Sequence, residues 1–108
     1  MFNNKQVLTE SSIAEMHKLS AETNQIKYAP DAVKGAQYGI GEWIMETNSQ
    51  GNAASVAVPA LNGIWPMIDL CRGYAFVVFT GAFSGDQKKD FYMHLKAIID
   101  DNIGSGCQ

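Results

Sequence analysis

The serines of this 108-residue chain are the first side chains to consider for nucleophilic chemistry. A catalytic serine needs a base within hydrogen-bond reach, and it commonly sits in a G-x-S-x-G or S-x-x-K motif. Neither motif occurs around Ser11, Ser12, Ser20 or Ser84. The sequence therefore predicts no catalytic serine in this chain.

The two histidines are the remaining candidates for a general base. His17 and His94 both fall on predicted helices, beside the apolar stripe. Asp90 precedes His94 by four residues, which is the spacing of a surface contact between successive helical turns. A base or a metal ligand needs several convergent partners, so we interpret both histidines as residues at the boundary of the core.

The carboxylates and cysteines suggest no metal or cofactor site. Glu42 and Glu46 are placed on one face of a predicted strand, where paired carboxylates could do acid–base work but are also common on exposed strand faces. Cys71 and Cys107 lack the C-x-x-C spacing of a metal site. The sequence alone does not decide whether they pair, so free thiols and a cytoplasmic location are the default expectation.

Composition and charge exclude several classes of protein. The net charge is −3, with 46% hydrophobic and 18% charged residues, which is typical of one globular domain over residues 1–108. Nucleic-acid binding needs a clustered basic surface, and this chain has none in its sequence. No apolar run approaches the roughly 20 residues that span a bilayer, and no apolar signal segment follows Met1. We expect neither a nucleic-acid nor a membrane partner.

The sequence begins with a predicted helix. In "VLTESSIAEMHKLS", Thr9 has the character of an N-cap, and the helix is expected to end near Ser20. Residues 21–37 show no periodicity and contain an Ala-Pro step, so they are interpreted as a surface connection with one short turn after Pro30.

Four strand-like segments follow the connection. The aromatic and branched residues of the first favour extended structure, and its Gly39 and Gly41 would leave a bare strip where another backbone can lie close. The last segment is apolar on both faces, which predicts a central strand covered on both sides. In chain order the four segments are "YGIGEWIMET", "AASVAVP", "IWPMIDL" and "YAFVVFT".

A second helix is predicted at the end of the chain. Ser84 and Gln87 fit a capping box at its start, and Gly104 fits its C-terminal end. Lys96 and Asp100 are assigned to the solvated side, and the predicted apolar face consists of Phe91, Leu95, Ile98 and Ile99. The fold class is therefore α+β, with an antiparallel sheet of about four strands between an N-terminal and a C-terminal helix.

The order of these segments resembles the C-terminal part of the serine β-lactamase-like family, which includes class C β-lactamases, D-Ala-D-Ala carboxypeptidases and esterases. "LTESSIAEM" is similar to the family's L-S-x-x-S-I-x-E-M region, and "YGIGEWI" to its Y-G-x-G-W strand. "VPALNGIWPMID" is similar to S-P-G-x-x-G-x-x-P-W-I-D, which precedes a long apolar strand. The resemblance covers residues 8–103 and implies part of the β-lactamase/transpeptidase fold.

The resemblance also indicates what this chain lacks. The family's S-x-x-K and tyrosine motifs lie upstream of the matching region and have no counterpart here. Its third motif, K-T-G or H-x-G, would fall at residues 57–60, where no cationic side chain stands. The resemblance therefore implies no catalytic residue, and it places the candidate ligand-binding residues beside that strand: Val58, Pro59, Ala60, Asn62, Trp65 and Tyr38.

Three hypotheses about function follow. In the family an N-terminal strand pair completes the sheet, so without it "YAFVVFT" is expected to have an open edge that pairs with another chain. The chain would then be a non-catalytic module that forms a homo-oligomer, a dimer in the simplest case, and binds a small molecule. Alternatively, it is part of a split serine hydrolase that is active only with a complementary N-terminal chain. The third hypothesis is an unrelated α+β binding or structural protein.

Overall fold

The computed structural model describes residues 3–60, 63–80, 89–104 and 107. It has an N-terminal helix α1 (Glu10–Met16), five strands and a C-terminal helix α2 (Lys89–Ile103). The strands are β1 (Gln37–Tyr38), β2 (Trp43–Thr47), β3 (Ala53–Ala57), β4 (Ile64–Asp69) and β5 (Tyr74–Phe79). They form one antiparallel sheet in the order β1-β2-β3-β4-β5, so each strand pairs with the next along the chain. The predicted α+β class is confirmed, with five strands where about four were expected.

The start of α1 is as predicted, but its end is not. The Thr9 side chain accepts a hydrogen bond from the Ser12 amide and so caps the helix. The helix ends at Met16, with His17 as its C-cap, instead of continuing to Ser20. No residue of α1 is buried. Because helices in proteins are stabilised mainly by packing against the core, a longer helix here would gain little stability.

The segment between α1 and the sheet is more than a surface connection. It contains two short 3-10 turns, Thr23–Gln25 and Asp31–Val33, and the second is the turn expected after Pro30. Val33 and Ala36 are buried in the hydrophobic core. The expectation of a purely surface segment was therefore wrong, because isolated apolar residues can pack into a core without any periodicity.

The first predicted strand divides into two strands at its glycines. Gly39 and Gly41 lie in the connection between β1 and β2, and Gly41 has a φ of +75° that favours glycine. A Cβ at Gly39 would lie 2.7 Å from the Met16 carbonyl oxygen. The predicted close approach of another backbone therefore occurs at Gly39, at a turn instead of within a strand.

Pro66 is accommodated inside the sheet because β3 is short. The Pro66 carbonyl accepts a hydrogen bond from the Val58 amide at 3.3 Å. Val58 lies just beyond the end of β3, so the missing N–H of the proline falls where the regular β3–β4 ladder has ended.

The last strand is not a central strand. Burial alternates along β5: Tyr74, Phe76 and Val78 are partly buried, while Ala75, Val77 and Phe79 are exposed. The prediction of a doubly covered strand was wrong, since apolar side chains on both faces do not reveal whether both faces are covered. β5 is an edge strand of the sheet. This position agrees with the separate expectation that the strand has an open edge.

The core lies between one face of the sheet and α2. The Trp65 and Tyr92 rings stack there with centroids 4.2 Å apart, beside the buried Met67 and Val33. The buried residues of α2 are Tyr92 and Lys96, whereas Phe91 and Ile98 are exposed. The predicted apolar face was therefore wrong at Phe91 and Ile98, whereas its other members, Leu95 and Ile99, are partly buried. The predicted cap at Ser84 and Gln87 lies outside the described residues.

The two cysteines form a disulfide. Cys71 in the β4–β5 turn is bonded to Cys107, with 5.8 Å between the Cα atoms. This corrects the expectation of free thiols. Their separation of 36 residues gave no signal in the sequence, because sequence distance does not report distance in space.

Candidate functional site: an open sheet edge beside a buried ion cluster

Three of the predicted ligand-binding residues follow β3 directly. Val58 is 53% exposed, and Pro59 is partly buried. The Ala60 amide donates a hydrogen bond to the Ile64 carbonyl at 2.9 Å, which closes a small loop before β4. Asn62 lies outside the described residues.

The other two predicted residues belong to different environments. Trp65 is fully buried, and its ring faces the core against Tyr92. Tyr38 is partly buried in β1 and contacts the Trp43 ring edge-to-face at 4.8 Å. The structure therefore brings residues 58–60 to the start of β4 but does not bring the Trp65 ring to the surface with them.

A polar cleft lies where β1 and β2 meet the start of α2. Its volume is about 180 Å³, and Thr23, Gln37, Glu46, Thr47 and Lys89 supply its polar side chains. None of the predicted ligand-binding residues in the described part of the chain lines this cleft.

A buried lysine forms the centre of an ion cluster between α2 and the sheet. The Lys96 Nζ atom lies 2.8 Å from carboxylate oxygens of both Asp69 and Asp100. It also lies 2.9 Å from the Glu46 carboxylate. The Lys96 and Asp69 side chains are each only 1% exposed. Because a buried charge is costly unless it is paired, these contacts explain how the lysine can lie inside the protein.

Neighbouring side chains satisfy the carboxylates of this cluster. Arg72 donates to Asp69 at 3.1 Å through its guanidinium group. The Cys71 and Arg72 amides also donate to Asp69, at 2.9 and 2.6 Å, and so shape the turn after β4. The Tyr74 hydroxyl donates to Asp100 at 2.5 Å, and the Ser55 hydroxyl donates to Glu46 at 2.6 Å.

The environment fixes the protonation states of the cluster. Burial alone would lower the pKa of Lys96, but the hydrogen bonds to Asp100, Asp69 and Glu46 outweigh it and raise that pKa. Burial would raise the pKa of Asp69, but hydrogen bonds from Arg72 and Lys96 lower it overall. Burial and the hydrogen bond to Asp100 raise the pKa of Tyr74 to about 12. A lysine with a raised pKa is a poor general base or imine-forming amine, so the cluster is suited to holding α2 against the sheet.

The sequence pattern did not predict this cluster. Lys96 and Asp100 were placed on the solvated side of α2, whereas Lys96 is buried and the Asp100 side chain is only 15% exposed. The available signal was the spacing of Tyr92, Lys96 and Asp100, which align on one helix face at intervals of four residues. The partner Asp69 lies 27 residues away from Lys96 in sequence, so no local pattern identified it.

A second polar pair attaches α1 to the sheet. The His17 Nδ1 atom contacts the Glu42 carboxylate, which is largely buried. The Ile40 amide donates to the Met16 carbonyl at 3.0 Å. Glu42 lies in the connection between β1 and β2, so the prediction that it shares a strand face with Glu46 was wrong.

The backbone of β5 has an unpaired edge within the described part of the chain. In an antiparallel pair, opposite residues direct their N–H and C=O groups either toward each other or away from each other. Pro66 lies opposite Val77 and directs its carbonyl to Val58 on the β3 side. Val77 must therefore direct its N–H and C=O away from β4.

The same alternation holds along the whole strand. The Thr80 amide donates to the Gly63 carbonyl on the β4 side at 2.9 Å. By period-two alternation, Ala75, Val77 and Phe79 direct their backbone groups to the open edge. None of the described strands pairs with β5 on that side.

The sheet face opposite α2 is apolar at this edge. Ile68 is 48% exposed, Val77 52% and Phe79 73%. These side chains lie on one face, because Ile68 pairs with Ala75, Pro66 with Val77 and Ile64 with Phe79. Open strand edges and exposed apolar side chains both commonly mark surfaces through which proteins associate.

The other features of the described residues do not indicate a reactive centre or a membrane span. No group of three or more His, Cys, Asp or Glu residues in this part of the chain could hold a metal ion. None of the described helices is long and apolar enough to cross a bilayer.

No family model, curated protein or solved structure matches the chain.

Proposed function

We propose that this chain is a non-catalytic, β-lactamase-like module that self-associates through the open edge of β5. The observation that carries the proposal is the geometry of this strand: six residues at the end of the sheet, with the backbone groups of Ala75, Val77 and Phe79 directed outward. Folded proteins normally blunt such edges with charges, prolines or bulges. β5 contains none of these.

The resemblance supports the same surface. In the β-lactamase-like family, the long apolar strand before the last helix is joined by an N-terminal strand pair. The corresponding strand here is β5, and α2 follows it in the chain. A partner strand is therefore expected at the edge where the family would place its own N-terminal strands.

The chemistry of the side chains supports a non-catalytic role. The sequence has no S-x-x-K, K-T-G or H-x-G motif. The one fully buried lysine of the described residues, Lys96, is held by three carboxylates and remains protonated. These features favour stable association over turnover.

A second candidate function is a complementing half of a split serine hydrolase. The exposed side chains of Ile68, Val77 and Phe79 favour it, because a strand added at the edge of β5 would leave much of this face uncovered. An N-terminal chain that supplied both a strand pair and a covering layer would bury the edge and the face together.

Substitutions at two exposed positions distinguish these two functions. Val77→Lys places a charge in the edge strand, whereas Ile68→Lys places the same charge on the same face but one strand away from the edge. We expect light scattering after size exclusion to give a dimer for the unaltered chain and for Ile68→Lys, and a monomer for Val77→Lys. Equal masses for all three proteins at the monomer value would overturn self-association, and recovery of ester hydrolysis on adding an N-terminal hydrolase chain would favour the second candidate.

A further inference from the structure

We propose that the partner at this edge is a second copy of the chain, paired antiparallel through β5 with Val77 on the two-fold axis. This inference rests on the proposed self-association and adds the register of the two strands. The register follows from which backbone groups are free and from which side chains share a face.

The backbone restricts the register to a few choices. Side chains that face each other across an antiparallel pair must lie on the same face of the sheet. Residues 75, 77 and 79 must therefore pair among themselves, because they share the face opposite α2 and direct their backbone groups outward. A two-fold axis at Val77 pairs Val77 with its own copy, and it pairs Ala75 with Phe79 of the other copy.

This register pairs more backbone groups of the open edge than a register shifted by one residue does. With the axis at Val77, the N–H and C=O groups of Ala75, Val77 and Phe79 are all directed at partners within the two strands. With the axis at Phe76, only Ala75 and Val77 oppose each other, and Phe79 extends past the end of the partner strand. Since an unpaired backbone group removed from water is costly, the axis at Val77 is favoured.

The side chains fit the same arrangement. The small Ala75 would lie opposite the large Phe79 of the other copy, twice per dimer, and Val77 would lie against its own copy. A β-branched pair and pairs that include an aromatic ring stabilise antiparallel strands. No charged side chain occurs between Tyr74 and Phe79, so two copies of the strand do not repel each other.

Cysteine scanning along β5 tests the register. Directly opposite residues of this hydrogen-bonded type have Cα atoms about 5.5 Å apart, within the range of a disulfide. Copies of residue 75, or of residue 79, would be separated by about 14 Å, since four residues of strand lie between them. The native cysteines are already bonded to each other, so the unaltered chain is the control for background cross-linking.

We expect Val77→Cys to form a disulfide-linked dimer under mild oxidation, and Ala75→Cys or Phe79→Cys alone to remain unlinked. An equal mixture of Ala75→Cys and Phe79→Cys should cross-link, and circular dichroism checks that each variant is folded. If Val77→Cys alone stays unlinked but cross-links when it is mixed with Ala75→Cys, the axis lies at Phe76 and the proposed register is overturned. The mass of the unaltered chain separates the two failures: a dimer without the Val77 cross-link overturns the register alone, and a monomer overturns self-association as well.

Discussion

Lys96 is the residue on which the junction between α2 and the sheet depends. Its ammonium group is bound to carboxylates from β2, from the end of β4 and from its own helix. The junction is therefore ionic at one end and aromatic at the other, where Trp65 stacks on Tyr92. Removing the lysine would leave buried carboxylates without a counter-charge, and that cost exceeds the modest net value of an intact pair.

We expect Lys96→Ala to lower the free energy of unfolding by about 3–5 kcal/mol, as for other buried pairs that lose one partner. Urea denaturation followed by circular dichroism would measure it. Lys18→Ala is the matched control, because Lys18 forms a 2.8 Å pair with Glu15 in which both side chains are more than half exposed. That change should cost less than about 1 kcal/mol. Equal effects of the two substitutions would show that the Lys96 cluster does not hold the helix.

At the scale of the elements, the disulfide joins the β4–β5 turn to the segment after α2. The same turn is shaped by the Asp69 carboxylate, which accepts hydrogen bonds from the amides of Cys71 and Arg72. Covalent and ionic links therefore fasten the end of the chain near β5, the strand with the open edge.

We expect reduction of the Cys71–Cys107 disulfide to lower the free energy of unfolding by about 4 kcal/mol, since the bond closes a loop between residues 36 apart. Denaturant titration with and without a reductant would measure this. A Cys71→Ser and Cys107→Ser double variant should match the reduced protein and be insensitive to reductant. If the unaltered protein is equally stable in both conditions, the disulfide does not constrain the unfolded chain.

The elements differ in how far the sequence predicts them. Thr9 as the cap of α1 and the end of α2 near Gly104 depend on local chemistry, and the sequence predicts both. The buried face of α2 and the coverage of β5 depend on residues distant in sequence; the first was predicted only in part, and the second was predicted wrongly. The candidate site follows the same division: the apolar strand was recognisable, but its partners, the Lys96 cluster and the disulfide were not.

For the whole molecule, the structure describes a sheet that is covered on one face by α2. Its last strand, β5, has one edge whose backbone groups pair with none of the described strands. Each backbone group along β5 that is directed at β4 has a partner strand, whereas those of Ala75, Val77 and Phe79 have none among the described strands. This asymmetry within a single strand is the physical basis of the proposed self-association. It also supplies an internal control, since adjacent amides differ only in the direction in which they point.

Amide hydrogen exchange of β5, measured residue by residue by NMR at low and high protein concentration, tests this account most directly. The amides of Phe76 and Val78 face β4 and should be protected at every concentration. The amides of Ala75, Val77 and Phe79 should exchange rapidly in the monomer and become protected as the concentration rises, because the second copy then pairs with them. Rapid exchange of these three amides at all concentrations, with Phe76 and Val78 protected throughout, would contradict self-association through β5.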